Sequence, residues 1–108
     1  VETTNGSYDA EIATYPSDVD VSNPRNTLQR GADDAAYVIE GGKWDSISWA
    51  QHQGLDAFDA FGHRKGFEVR LYSIMKSRLA LVLCYTGVAG TSRSADVERF
   101  IASVRVRN

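Results

Sequence analysis

His52, Asp56, Asp59 and His63 stand at offsets 0, 4, 7 and 11. On one helix all four would share a face, and two imidazoles with two carboxylates can hold a divalent metal. On strands, alternation divides them, with His52 and Asp56 on one side and Asp59 and His63 on the other. Gly54 and Gly62 interrupt any continuous helix, so the strand reading is preferred, with no metal and no cofactor. Cys84 is the sole cysteine. A reactive thiol needs a neighbouring base and an electropositive setting. Cys84 instead sits in Leu79-Ala80-Leu81-Val82-Leu83-Cys84-Tyr85, apolar on both faces, where a thiol packs as a small hydrophobe.

Other nucleophile and phosphate signatures are weaker. The chain has no Gly-x-Ser-x-Gly elbow. Gly87-Val88-Ala89-Gly90-Thr91-Ser92 resembles a phosphate loop in composition but lacks its lysine, and reads as a strand-to-helix connection. Asp33 and Asp34 read as a solvated helix face. Two features point instead to recognition. Trp44, Trp49, Phe58, Phe61, Phe67 and Tyr72 give the middle of the chain an aromatic bias, suited either to a core or to an apolar binding surface. Charge is also divided: residues 1–63 carry −8 and residues 64–108 carry +6, for a net −2. Arg64, Lys65, Lys76, Arg78, Arg105 and Arg107 would make one side basic unless paired strands interleave the halves.

The elements that must position these residues follow from periodicity. Residues 1–7 read as a flexible lead-in to a single domain over 8–108. Tyr8, Ala10 and Ile12 alternate with Asp9 and Glu11 as a strand that stops at Pro16. Asn23-Pro24 starts a helix, with Leu28, Ala32, Ala35, Ala36 and Ile39 on one face and Gly41-Gly42 as its stop. Strands follow over Trp44 to Ala50, less regularly over Leu55 to Phe61, then Phe67 to Ile74 and Leu79 to Tyr85. The last of these should be a central strand, covered above and below. Ser94 caps a final helix whose Val97, Phe100, Ile101 and Val104 form an apolar stripe. The order β-α-β-β-β-β-α predicts an α+β domain, a four- to five-stranded antiparallel sheet packed with two helices.

The 108-residue, 43% hydrophobic composition is that of one globular domain. No apolar stretch has the about 20 residues of a membrane span, and the negative balance disfavours nucleic acid. The chain opens Val1-Glu2 without methionine, which reads as a processed or trimmed product.

The second half carries a resemblance. Gly62-His63-Arg64-Lys65-Gly66-Phe67-Glu68-Val69, Tyr72-Ser73-Ile74, Arg78-Leu79-Ala80-Leu81-Val82-Leu83 and Asp96 to Val104 resemble small bacterial proteins of PsbP-like fold, often secreted or lipid-anchored. The resemblance spans roughly residues 8–107 and rests on structural positions rather than catalytic ones. Known roles on that fold are non-enzymatic: a photosystem accessory protein, a nuclear import factor acting on a small GTPase, and chaperones of secreted effectors. Members of the family usually carry one or two further strands before the first one here, so the chain reads either as a shortened version or as a fragment whose edge is completed by something else.

The resemblance implies a non-catalytic binding or accessory domain at the bacterial cell envelope. Its expected partner is a protein, with an acidic one suited to the basic turns. Trp44, Trp49 and Phe58 would be anchors, with Arg64, Lys65, Lys76 and Arg78 for orientation. A homodimer through the exposed first strand is a further expectation. The alternative is a small-ligand-binding or hydrolytic domain whose sheet–helix pocket uses Cys84, His52 or His63.

Overall fold

The computed structural model describes residues 6–106. Strand β1 (Gly6–Thr14) is followed by helix α1 (Pro24–Ala35), then β2 (Ser46–His52), β3 (Leu55–Arg64), β4 (Phe67–Lys76), β5 (Leu79–Val88) and helix α2 (Ala95–Ser103). All five strands join one antiparallel sheet in the order β1-β5-β4-β3-β2. This is the α+β class and element order that periodicity predicts. Strand β1 already begins at Gly6, so Gly6 and Ser7 belong to the sheet rather than to a lead-in; residues 1–5 of that lead-in lie outside the described residues.

Both helices start where their caps dictate. The Asn23 side chain accepts the Asn26 N–H at 3.2 Å, and Pro24 supplies a preset first helical residue. Ser94 accepts the Val97 N–H at 3.3 Å. Helix α1 stops at Ala35, six residues short of the expected Gly41. Tyr37, Val38 and Ile39 are aromatic or β-branched and lose side-chain freedom in a helix. The chain there tightens into a short turn at Ala36–Val38, and Ile39 goes extended. Ile39 still reaches the core, packing where Gly62 offers no side chain.

Strands β2 to β5 form a meander joined by two-residue turns. Gln53-Gly54 and Lys65-Gly66 each put both residues at positive φ, the mirror-image turn that matches strand twist. The turns fix which residues share a face. One face, under α1, holds Leu28, Phe58, Ala60, Val69, Leu71 and Met75. The other, under α2, holds Ala57, Tyr72, Ile74, Leu83, Tyr85, Val97 and Ile101. Strand β4, buried from Val69 through Met75, occupies the middle of the sheet. Strand β5, expected at the centre, is interior but only partly covered at Leu81, Val82 and Cys84, because its neighbour β1 is an edge.

Candidate functional site

The α2 face contains a buried ion network that fastens α2 to the sheet. Arg70 on β4 is 6% exposed. Its Nε and Nη2 donate to the two Asp59 carboxylate oxygens at 3.0 and 2.8 Å, and its Nη1 donates to Glu98 at 2.6 Å and to the Ser92 carbonyl at 3.2 Å. Burial works against the Arg70 charge, but the bonds to Asp59 and Glu98 outweigh it and hold its pKa above the usual value. Glu68 accepts the Ser92 N–H, which lowers its pKa, so the 90–94 loop is gripped from two β4 side chains. Phe61 is covered by cations, with the Arg93 guanidinium 3.6 Å and that of Arg70 4.8 Å from its ring centre. Sequence reading passed over Arg70, because strand alternation marks it as a solvent-facing position.

The residues with catalytic or ligand potential are dispersed. His52 pairs with Leu55 across the first turn and so shares the α2 face with Asp59, contrary to a parity count run straight through the chain. The turn interrupts that count. His52 is buried; its Nε2–H donates to the Val104 carbonyl at 2.7 Å, and the Tyr72 hydroxyl donates to Nδ1 at 3.3 Å. Both ring nitrogens are thereby committed to structure. Asp56 lies on the opposite face beside Arg25. His63 sits at the other end of the sheet, exposed, with Nδ1 2.7 Å from Asp45 and Nε2 3.4 Å from Glu40. The Asp45 hydrogen bond and charge raise its pKa. Cys84 faces the α1 side, and burial pushes its thiol pKa up, the reverse of activation. Among the described residues no group of three or more His, Cys, Asp or Glu side chains is arranged to hold a metal ion.

The expected recognition residues also separate. Trp44 and Phe58 are core residues at 7% and 0% exposure, so they cannot anchor a partner. The Trp44 indole N–H donates to the Ala32 carbonyl at 2.9 Å beneath α1, and Phe58 packs edge-on against Trp49. Small residues on α1 leave room for these rings, which sequence alone could not assign to a face. Trp49 is half-buried, with Arg25 over its ring. Arg64 and Lys65 lie at the β3–β4 turn, whereas Lys76 and Arg78 lie at the β4–β5 turn at the opposite end of the sheet. They therefore make no single basic patch. Arg78 is spent on the Pro16 and Val19 carbonyls at 2.6 and 2.8 Å, pinning the β1–α1 connection. Arg107 lies outside the described residues.

Among the described residues, a void of about 10 Å³ between the sheet and α2 has Cys84 in its lining, too small for a substrate, and two larger concavities flank β1 and β5. On the α1 face, a cleft of about 180 Å³ is lined by Glu11, Tyr15, Leu28, Gly31, Ser73 and Val82, without Cys84 or either histidine. On the α2 face, a groove of about 280 Å³ is lined by Ile12, Ile74, Leu79, Leu81 and Val106, with Lys76 and Arg105 at its rim. Ile12 is 70% and Leu79 46% exposed. The groove exists because α2 is too short: nine residues reach roughly 14 Å, while ten-residue β5 runs about 33 Å. The helix exit is held toward β2 by the His52–Val104 bond, leaving the β1 corner open.

No family model matches the chain, and no curated protein matches it. Its fold is similar to the crystal structure of PA94, a Pseudomonas aeruginosa protein of unknown function described as a candidate regulator. The TM-score is 0.67 at 14% identity, over 98% of this chain and 87% of that one. That likeness is of fold. No helix among the described residues is long and apolar enough to cross a membrane.

Proposed function

We propose that this domain is a non-catalytic binding or accessory module that recognises a protein partner through the groove on its α2 face. The supporting observation is that groove itself: a concave aliphatic corner left open, whereas the exposed Tyr37, Ile47, Phe67 and Val88 line neither of the two larger concavities. Arg105 gives it a charge preference. Its Nη1 donates to the Ala102 and Val104 carbonyls, which orient the guanidinium without neutralising it. The partner is therefore an apolar segment carrying a carboxylate toward Arg105. The dispersal of His52, His63 and Cys84 gives a catalytic reading no comparable support.

Selection of a displayed peptide library on the whole domain tests this. Enriched peptides should combine aliphatic residues with Asp or Glu, and should shift the amide resonances of Ile12, Leu79, Leu81 and Val106. Leu81→Gln should abolish binding, and Arg105→Glu should weaken it. Enriched peptides that perturb other surfaces, or that bind Leu81→Gln equally well, would overturn the proposal.

A further inference from the structure

The groove borders β1, and among the described residues no further strand pairs with the outer edge of β1. Residues Asp9 through Ile12 are all exposed, the nine β1 pairs with β5 run one-to-one without a bulge, and the strand contains no Lys, Arg or Pro. Natural sheets often blunt such an edge with a bulge, Pro or charge, and here the only charges on the strand are the acidic Asp9 and Glu11. Its two faces differ in chemistry. Ala10 and Ile12 lie on the α2 side and continue the aliphatic floor formed by Leu79 and Leu81, since Ile12 pairs with Leu81. Asp9 and Glu11 point to the α1 side, and both are exposed.

We infer that, given a partner at the groove, that partner enters as an extended strand paired to the outer edge of β1, apolar on its α2-side face apart from the carboxylate toward Arg105, and carrying Lys or Arg on its α1-side face. A sixth strand would place every second side chain against Ala10 and Ile12, and the intervening ones opposite Asp9 and Glu11. Charge also selects against a second copy of β1. Antiparallel self-pairing centred on Asp9, Ala10 or Glu11 sets Asp9 or Glu11 directly against a carboxylate of the copy. A basic strand turns the same two residues into cross-strand ion pairs.

The test uses the whole domain and nine-residue synthetic peptides, with binding read by fluorescence anisotropy at moderate salt. With one α2-side Glu for Arg105 kept in both peptides, an alternating Val/Lys peptide should bind roughly two- to thirtyfold tighter than its Val/Glu counterpart, the range expected from two cross-strand charge pairs. Methylating the amide nitrogens along one edge of the peptide should cost about tenfold or more, because ladder hydrogen bonds are lost. The double variant Asp9→Lys/Glu11→Lys should reverse the charge preference, and circular dichroism of that variant checks that the sheet persists. Equal binding of the N-methylated peptide, or no charge preference, overturns strand addition. If those peptides still lose binding on Leu81→Gln, the groove proposal stands while strand addition fails. If Leu81→Gln has no effect on any peptide, the groove proposal fails too.

Discussion

Replacing Arg70 with methionine should unfold a large part of the domain's stability margin. Methionine fills similar volume but leaves Asp59, whose side chain is 13% exposed, without its bidentate partner. Removing one member of a buried pair costs about 3–5 kcal/mol, because a desolvated charge is left uncompensated. Glu98 is 54% exposed and can turn to water, so its share is small. Domains of this size hold roughly 5–15 kcal/mol in total and lose about 4–8 °C in Tm per kcal/mol. Arg70→Met should therefore lower Tm by roughly 12–40 °C. Urea denaturation followed by tryptophan fluorescence measures the loss, and Arg70→Met/Asp59→Leu closes the cycle. The double variant should recover at least half of the loss, since two apolar groups replace the pair without an orphan charge. A loss below about 1 kcal/mol in the single variant, or no recovery in the double, would refute the reasoning.

Three smaller perturbations follow from the same geometry. His63 has a pKa raised by Asp45, so its contribution to stability is fully present below the unfolded value and is lost as pH rises through the folded one. The stability difference between wild type and His63→Gln should accordingly shrink above about pH 6.5, and NMR titration should place the His63 pKa above that value. Gly62→Ala would set a Cβ 2.7 Å from Ile39 Cγ2 and 3.0 Å from Cδ1. It should cost about 1–3 kcal/mol, and less in an Ile39→Ala background, as read from denaturation midpoints. Lys65 has φ 48° ahead of Gly66, and its hydrogen bond to Glu40 comes from the backbone N–H. Lys65→Asn creates the Asn-Gly pair this turn prefers and should stabilise by a few tenths of a kcal/mol, visible as a higher Tm.

Elements were legible in the sequence wherever a local signal is also the physical cause. Asn23-Pro24 and Ser94 cap the helices they announce, and Tyr8-Asp9-Ala10-Glu11-Ile12 alternates because β1 has two different faces. What failed is what depends on neighbours distant in sequence. Trp44 and Phe58 look like Trp49 in composition, and only the placement of α1 decides which rings are covered. Arg70 alternates with apolar residues as a surface arginine would, yet Asp59, Glu98 and the Ser92 carbonyl converge on it from three other elements. The separation of the basic turns was recoverable. Successive hairpins reverse the chain, so Arg64-Lys65 and Lys76-Arg78 must fall at opposite ends of the sheet. The groove was not, because it arises from the length and direction of α2 relative to β5.

The pairing of β1 with β5 also governs the order of assembly. Strands β2 to β5 are joined by two-residue turns, so each new pair forms next to one already made. Strand β1 pairs Gly6 with Gly87, closing a loop of roughly 80 residues. Relative to a ten-residue loop, that closure costs about 2 kcal/mol more in chain entropy. During synthesis β1 leaves the ribosome before β5 and must wait for it before it can join the sheet. The meander can therefore persist with its β5 edge bare, and β1 can detach without breaking any other strand pair. Amide exchange should be faster along β1 than along β4 and β5, and the strand that precedes the other four is the last of them to be secured.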